Sequence, residues 1–168
     1  RRNLEITESM RHGTKQGSLL NVLDKTKTSM GSRKLRTMLE RPLIKVNDIN
    51  KRLSAVEELK SRAIERDRLT NCLKSIHDLE RLMTRLMLGS GNAKDLIAFK
   101  SAFEVLPKIK QSLSGFESNL LKTLDSNITE QNELYSIIDN SIIDNPPFTV
   151  KEGGIIKDGY DSSVDENR

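Results

Sequence analysis

The sequence predicts a mainly α-helical domain with a small β-hairpin near its C-terminal end. Three observations carry this. Apolar residues recur at i, i+3 and i+4 through most of the chain. Cap-type residues stand before those stripes, and Gly or Pro stands after them. Beyond Asn145-Pro146-Pro147 the pattern changes to two short apolar runs, FTV (148–150) and GII (154–156), which flank KEG and read as a hairpin.

In chain order, RRNLEI (1–6) reads as a short strand and MRHGTKQGS (10–18) as a polar loop. LLNVLD (19–24) is one or two helical turns. Leu35, Met38 and Leu39 share a helix face that Thr28 or Ser29 caps and Pro42 ends. Asn47 is expected to cap a helix carrying Ile49, Leu53, Val56 and Leu59. From Asp67 the stripe Leu69, Leu73, Ile76, Leu79, Leu82, Met83, Leu86 is one long helix or two, restarted at Asp78. GSGN (89–92) stops it, and Asn92 with Asp95 opens the next helix. That helix presents Leu96, Phe99, Phe103 and Leu106, and Pro107 should kink or break it. Helices near 117–125 and 129–142 follow, and DSSVDENR (161–168) reads as the start of one more.

Composition narrows the class. The 168 residues are 35% hydrophobic, about 40% once the 9 glycines are counted, below the roughly 45–50% of ordinary globular domains. An elongated domain, or one cut from a larger protein, fits that balance. No apolar run approaches a membrane span, nothing after Arg1 resembles a secretory leader, and the single cysteine, Cys72, excludes an internal disulfide. A cytoplasmic location is expected. Residues 1–41 hold ten Lys/Arg against four Asp/Glu, whereas residues 139–168 hold three against seven. The basic end is able to attract phosphates.

The chemistry-bearing motifs are sparse. A phosphate loop needs G-x-x-x-x-G-K-[ST]. Met30-Gly31-Ser32-Arg33-Lys34 lacks that spacing, and Gly13-Thr14-Lys15-Gln16-Gly17-Ser18 has three residues between its glycines and no lysine after the second. Two histidines and one cysteine cannot build the common zinc sites, and Cys72 and His77, five apart, point about 140° apart on a helix. Asp78 reads as a cap and Glu80 as a surface charge. No catalytic, cofactor-binding or metal-binding set is expected. Arg33, Lys34 and Arg36 are the candidate nucleic-acid contacts, although the following PLIKVN link does not lead into a basic recognition helix.

Four segments in register, Arg2-Asn3-Leu4-Glu5-Ile6, GSLLNVLDKTKTSMGSRKLRTMLERPL (17–43), Asp78-Leu79-Glu80-Arg81 and IIDNPPFTVKEGGIIKDGYDSSVDENR (142–168), resemble the core, or lever, domain of the bacterial MutS mismatch-recognition family over essentially the whole chain. Departures are Met38 where the family often has Trp, His77 where it often has an aromatic residue, and Ser162, Ser163 and Val164 where it often has acids and Leu. The resemblance implies that residues 1–160 form the first half of that lever and that 161–168 begin the lever helix leading to a DNA clamp. It also implies a longer parent protein that dimerises around mismatched DNA and uses ATP and Mg in a separate ATPase domain. The fragment itself would be non-catalytic, with DNA and other MutS domains as partners. Its part would be mechanical, carried by a core of Leu35, Met38, Leu39, Leu79, Leu82, Phe99 and Phe103. The alternative is a stand-alone nonspecific DNA-binding module using Arg1, Arg2, Arg11, Lys15, Lys25, Lys27, Arg33, Lys34 and Arg36. A third reading is an unrelated helical interaction domain.

Overall fold

A computed structural model describes residues 4–10 and 13–167. Its helices are α1 (Leu19–Leu23), α2 (Ser29–Glu40), α3 (Val46–Ser61), α4 (Ala63–Lys74), α5 (Leu79–Met87), α6 (Ala93–Leu113), α7 (Asn119–Asn127), α8 (Asn132–Ser141) and α9 (Ser162–Glu166). The mainly helical fold is as the periodicity predicts.

Local chemistry sets most of the boundaries. Thr28 Oγ1 accepts the Gly31 N–H at 3.0 Å and starts α2. The stretch from Asp67 to Leu86 divides into α4 and α5, with Asp78 as N-cap of the second. Asn92 and Asp95 form a reciprocal capping box, at 3.0 and 3.2 Å, that opens α6. Asp161 caps α9 through the N–H groups of Ser163 and Val164. One start differs from expectation. α3 begins at Val46 behind Lys45, which offers no side-chain acceptor, so Asn47 lies inside the helix.

α6 has 21 residues, about 31 Å at 1.5 Å per residue, and it runs through Pro107 without a break. Proline removes one intrahelical donor, and packing on both sides of Pro107 holds the helix together. The C-terminal half joins Ala55, Ile109, Leu113, Phe116 and Leu121 in one buried cluster, against which parts of α3, α4 and α7 pack. The N-terminal half joins Leu82, Ala93, Phe99, Ile138 and Ile142 in a second, which takes in α5 and α8. α6 is thus the shared spine of two cores.

The expected hairpin is not formed. Val150–Glu152 is a 3₁₀ turn, closed by a capping box in which Thr149 N and Oγ1 both donate to Glu152 Oε1, at 3.0 and 2.8 Å. Gly153 and Gly154, at φ +70° and +64°, then turn the chain away from residues 148–150. Ile156 pairs instead with Ile142 in a lone antiparallel bridge, supported by Ile143 N–H to Ile155 O at 3.0 Å and Lys157 N–H to Ser141 O at 2.8 Å. The second apolar run found its partner beyond the nearest turn. The N-terminal strand is also absent within the described residues. Residues 5–8 form turns whose carbonyls at Glu5 and Ile6 accept the N–H groups of Leu19 and Leu20, each at 2.9 Å.

Candidate functional site

The chemistry-bearing residues converge at the seam between α2 and α5. Asp24 orders the approach to α2, accepting from Lys15, from Thr26 Oγ1 at 2.6 Å and from Ser32 Oγ at 2.6 Å. These partners, Lys15 foremost, hold its carboxyl well below the usual range. One residue beyond Ser32, Arg33 reaches the start of α5. Its Nη1 and Nη2 donate to Asp78 Oδ2 and Oδ1, both at 2.7 Å. Its Nε and Nη2 also donate to Glu80 Oε2, at 3.1 and 2.5 Å. A bidentate fork of this kind is among the stronger polar contacts a surface can make. The Arg33 hydrogen bonds are the main reason the Asp78 carboxyl is lowered to about 2, and Asp78 and Glu80 together raise the Arg33 pKa.

Of the other expected nucleic-acid contacts, Arg36 pairs with Glu40 at 2.9 Å and with Glu8 at 3.2 Å, while Lys34 is exposed. In the wider basic set, Lys15 is held by Asp24 and Lys25 and Lys27 are exposed. Arg1, Arg2 and Arg11 lie outside the described residues. The stand-alone DNA-binding alternative gains no support from this arrangement, because Lys15, Arg33 and Arg36 already face carboxylates of the same chain.

The proposed packing residues are placed as follows. Leu82 and Phe99 are buried, 7% and 6% exposed, in the second cluster. Leu79 and Phe103 are partly buried against it, with the Phe99 and Phe103 rings 5.9 Å apart. Leu35, Met38 and Leu39 are half-buried, and α2 contains no fully buried residue. Beside Phe99, an apolar groove of about 320 Å³ lies between α5, α6 and α8, lined by Met83, Leu86, Leu96, Phe103 and Leu134 among others.

Two polar links were not anticipated. Glu58 on α3 accepts the backbone N–H groups of Glu117 and Ser118 at 2.6 and 2.8 Å. Lys100 on α6 reaches Asp139 on α8 at 2.6 Å and Asp144 at 3.0 Å. Glu58 lies 59 and 60 residues from Glu117 and Ser118, and Lys100 lies 44 from Asp144, so no local sequence signal announces these links. Among the described residues, no group of three His, Cys, Asp or Glu is placed to hold a metal ion. Among these residues, too, no helix is long and apolar enough to cross a membrane.

Two apolar clusters on one spine, with ion pairs along the seams, define a mainly helical, two-core domain. The profile of MutS domain III matches residues 1–166, and the chain belongs to that family. It is similar to the DNA mismatch repair protein MutS of Ruminiclostridium cellulolyticum, at 51% identity over 168 residues and all of this chain. The proteins of the same name from Clostridium kluyveri and Acetivibrio thermocellus are 48% identical over 98% of the chain and 46% identical over all of it. The chain spans 19% of the length of each of these relatives.

Proposed function

We propose that this domain is the lever of a MutS-type mismatch repair protein, coupling a DNA-holding clamp to an ATPase elsewhere in the longer protein. In this reading the parent protein is cytoplasmic, works as a homodimer on mismatched DNA, and binds ATP and Mg outside these residues. Residues 161–168 lead towards the clamp. The domain contributes motion and no chemistry of its own. The observation that supports this most directly is α6, continuous through Pro107 and packed into a different core at each half. Close-packed interfaces resist continuous deformation, so a displacement of one core is carried to the other along the shared helix.

The test softens the spine without emptying either core. Ser101 and Glu104 lie in the middle of α6, half-buried and exposed respectively, and neither belongs to a cluster. In the full-length protein, Ser101→Gly with Glu104→Gly should slow ATP-triggered release from a mismatched duplex severalfold, since each glycine weakens a helix interior. Duplex binding without nucleotide should stay near wild type. Unchanged ATP-triggered release in a folded variant would exclude α6 as the transmitting element.

A further inference from the structure

Residues 4–10 and 13–41 form a lobe tied together by its own contacts. Leu20 and Ser18 are buried within it, Glu8 pairs with Arg36, and Asp24 gathers Lys15, Thr26 and Ser32. Neither apolar cluster of the body contains a residue from this lobe. α2 packs against α1, whereas α3 to α8 pack among themselves. The covalent link is exposed, with Pro42 and Lys45 at the surface and Ile44 91% exposed. Among the described residues, the hydrogen bonds that cross from lobe to body are the four made by Arg33 to Asp78 and Glu80.

An apolar interface holds two parts together over a broad area and separates only at large cost. An ionic one with a single cation at its centre is different. It is directional, it is screened by salt where it is exposed, and it is lost as a unit when the cation is removed. We propose that Arg33, Asp78 and Glu80 form an ionic latch, and that the α1–α2 lobe swings away from the body as a unit, about the 42–45 link, when the latch opens. Asp78 is the fixed jaw, because it is also the N-cap of α5 and its side chain is 18% exposed. Glu80, with a side chain 67% exposed, is the jaw that solvent and salt reach first. This stands on contacts within the chain and does not depend on the lever role.

The experiment measures the distance between the lobe and α6 in the full-length protein, with other reactive cysteines removed. Spin labels are placed at exposed Lys34→Cys and Gln111→Cys in a Cys72→Ala background. Wild type should show one dominant distance. Arg33→Gln should increase the longer-distance population on the order of tenfold, the scale expected for losing a charge-assisted bidentate pair. Asp78→Asn should do the same while α5 stays capped, since Asn caps a helix about as well as Asp. Glu80→Gln should have a smaller effect in the same direction. A distance distribution unchanged by both Arg33→Gln and Asp78→Asn overturns the latch. So does a broadened distance between two labels within α6, at Ser101→Cys and Gln111→Cys, because the substitutions would then loosen the body itself.

Discussion

The carboxylate of Glu58, on α3, accepts the backbone N–H of Ser118 at 2.8 Å and so caps α7 from another helix. Ser118 provides no side-chain cap of its own to that helix. Glu58 accepts the Glu117 N–H as well, while Arg62, the C-cap residue of α3, reaches the Gly115 carbonyl and lies 4.9 Å from the centre of the Phe116 ring. The 115–118 loop is therefore pinned by α3 at both of its ends, with Phe116 1% exposed between them. Backbone donation, first from Glu117, lowers the Glu58 pKa below its ordinary 4.5. A lowered folded pKa stabilises above the unfolded value and loses that contribution as pH falls through the folded one. Acid titration of stability should therefore show a component below about pH 4.5 that Glu58→Gln removes. An identical acid limb in the variant would exclude this cap as its source.

Leu82 and Met83 are neighbours on α5 with opposite surroundings, 7% and 49% exposed. Leu82→Ala should cost about 2–5 kcal/mol, because it removes buried contacts and leaves space that the second cluster only partly refills. Met83→Ala should fall within about 1 kcal/mol. Phe99→Ala, on the facing helix, belongs with the large losses, at about 3–5 kcal/mol. Denaturant unfolding of the three variants checks the order, and a Met83 effect as large as that of Leu82 would mean that the groove beside Phe99 is covered in solution.

The capping box at the head of α6 makes a more local prediction. Asn92→Ala should cost about 1 kcal/mol, while Asn92→Asp should retain most of the cap. Asp95 has a second role, because its buried carboxylate also holds Arg85 of α5. Asp95→Ala should consequently destabilise more than Asn92→Ala in the same thermal melts.

What could be read in advance follows from how far each signal reaches. Thr28, Asp78 and Asn92 marked helix starts because a cap acts within three residues of itself. The hairpin failed for the opposite reason. Nearest-turn reasoning paired 148–150 with 154–156, but the Thr149–Glu152 box coiled the first run, and Ile156 found Ile142 across an intervening turn. At the seam, Asp78 was legible as a cap and Arg33 as a surface cation. Their attachment to each other, across 45 residues, had no local signature. The four family-like segments were legible as a set. The structure gives a physical reason for two of them, since Arg33 lies in one and Asp78 and Glu80 lie in the other.

The pairing of Arg33 and Arg36 changes what DNA binding by the basic end should look like. A cation that neutralises a phosphate releases counterions, and each such contact adds about −0.9 to the slope of log affinity against log salt. Arg33 already faces two carboxylates and Arg36 two more, so moving either to a phosphate requires breaking existing ion pairs. Lys34 is exposed on the same helix. In fluorescence-anisotropy titrations of this chain at two salt concentrations, affinity for duplex DNA should be weak and equal for matched and mismatched sequences. Lys34→Ala should reduce the salt slope by about one at most, and Arg36→Gln should leave it unchanged. Tight binding whose slope falls on Arg36→Gln would show that phosphates outcompete Glu8 and Glu40, and would make this end of the domain a DNA surface in its own right.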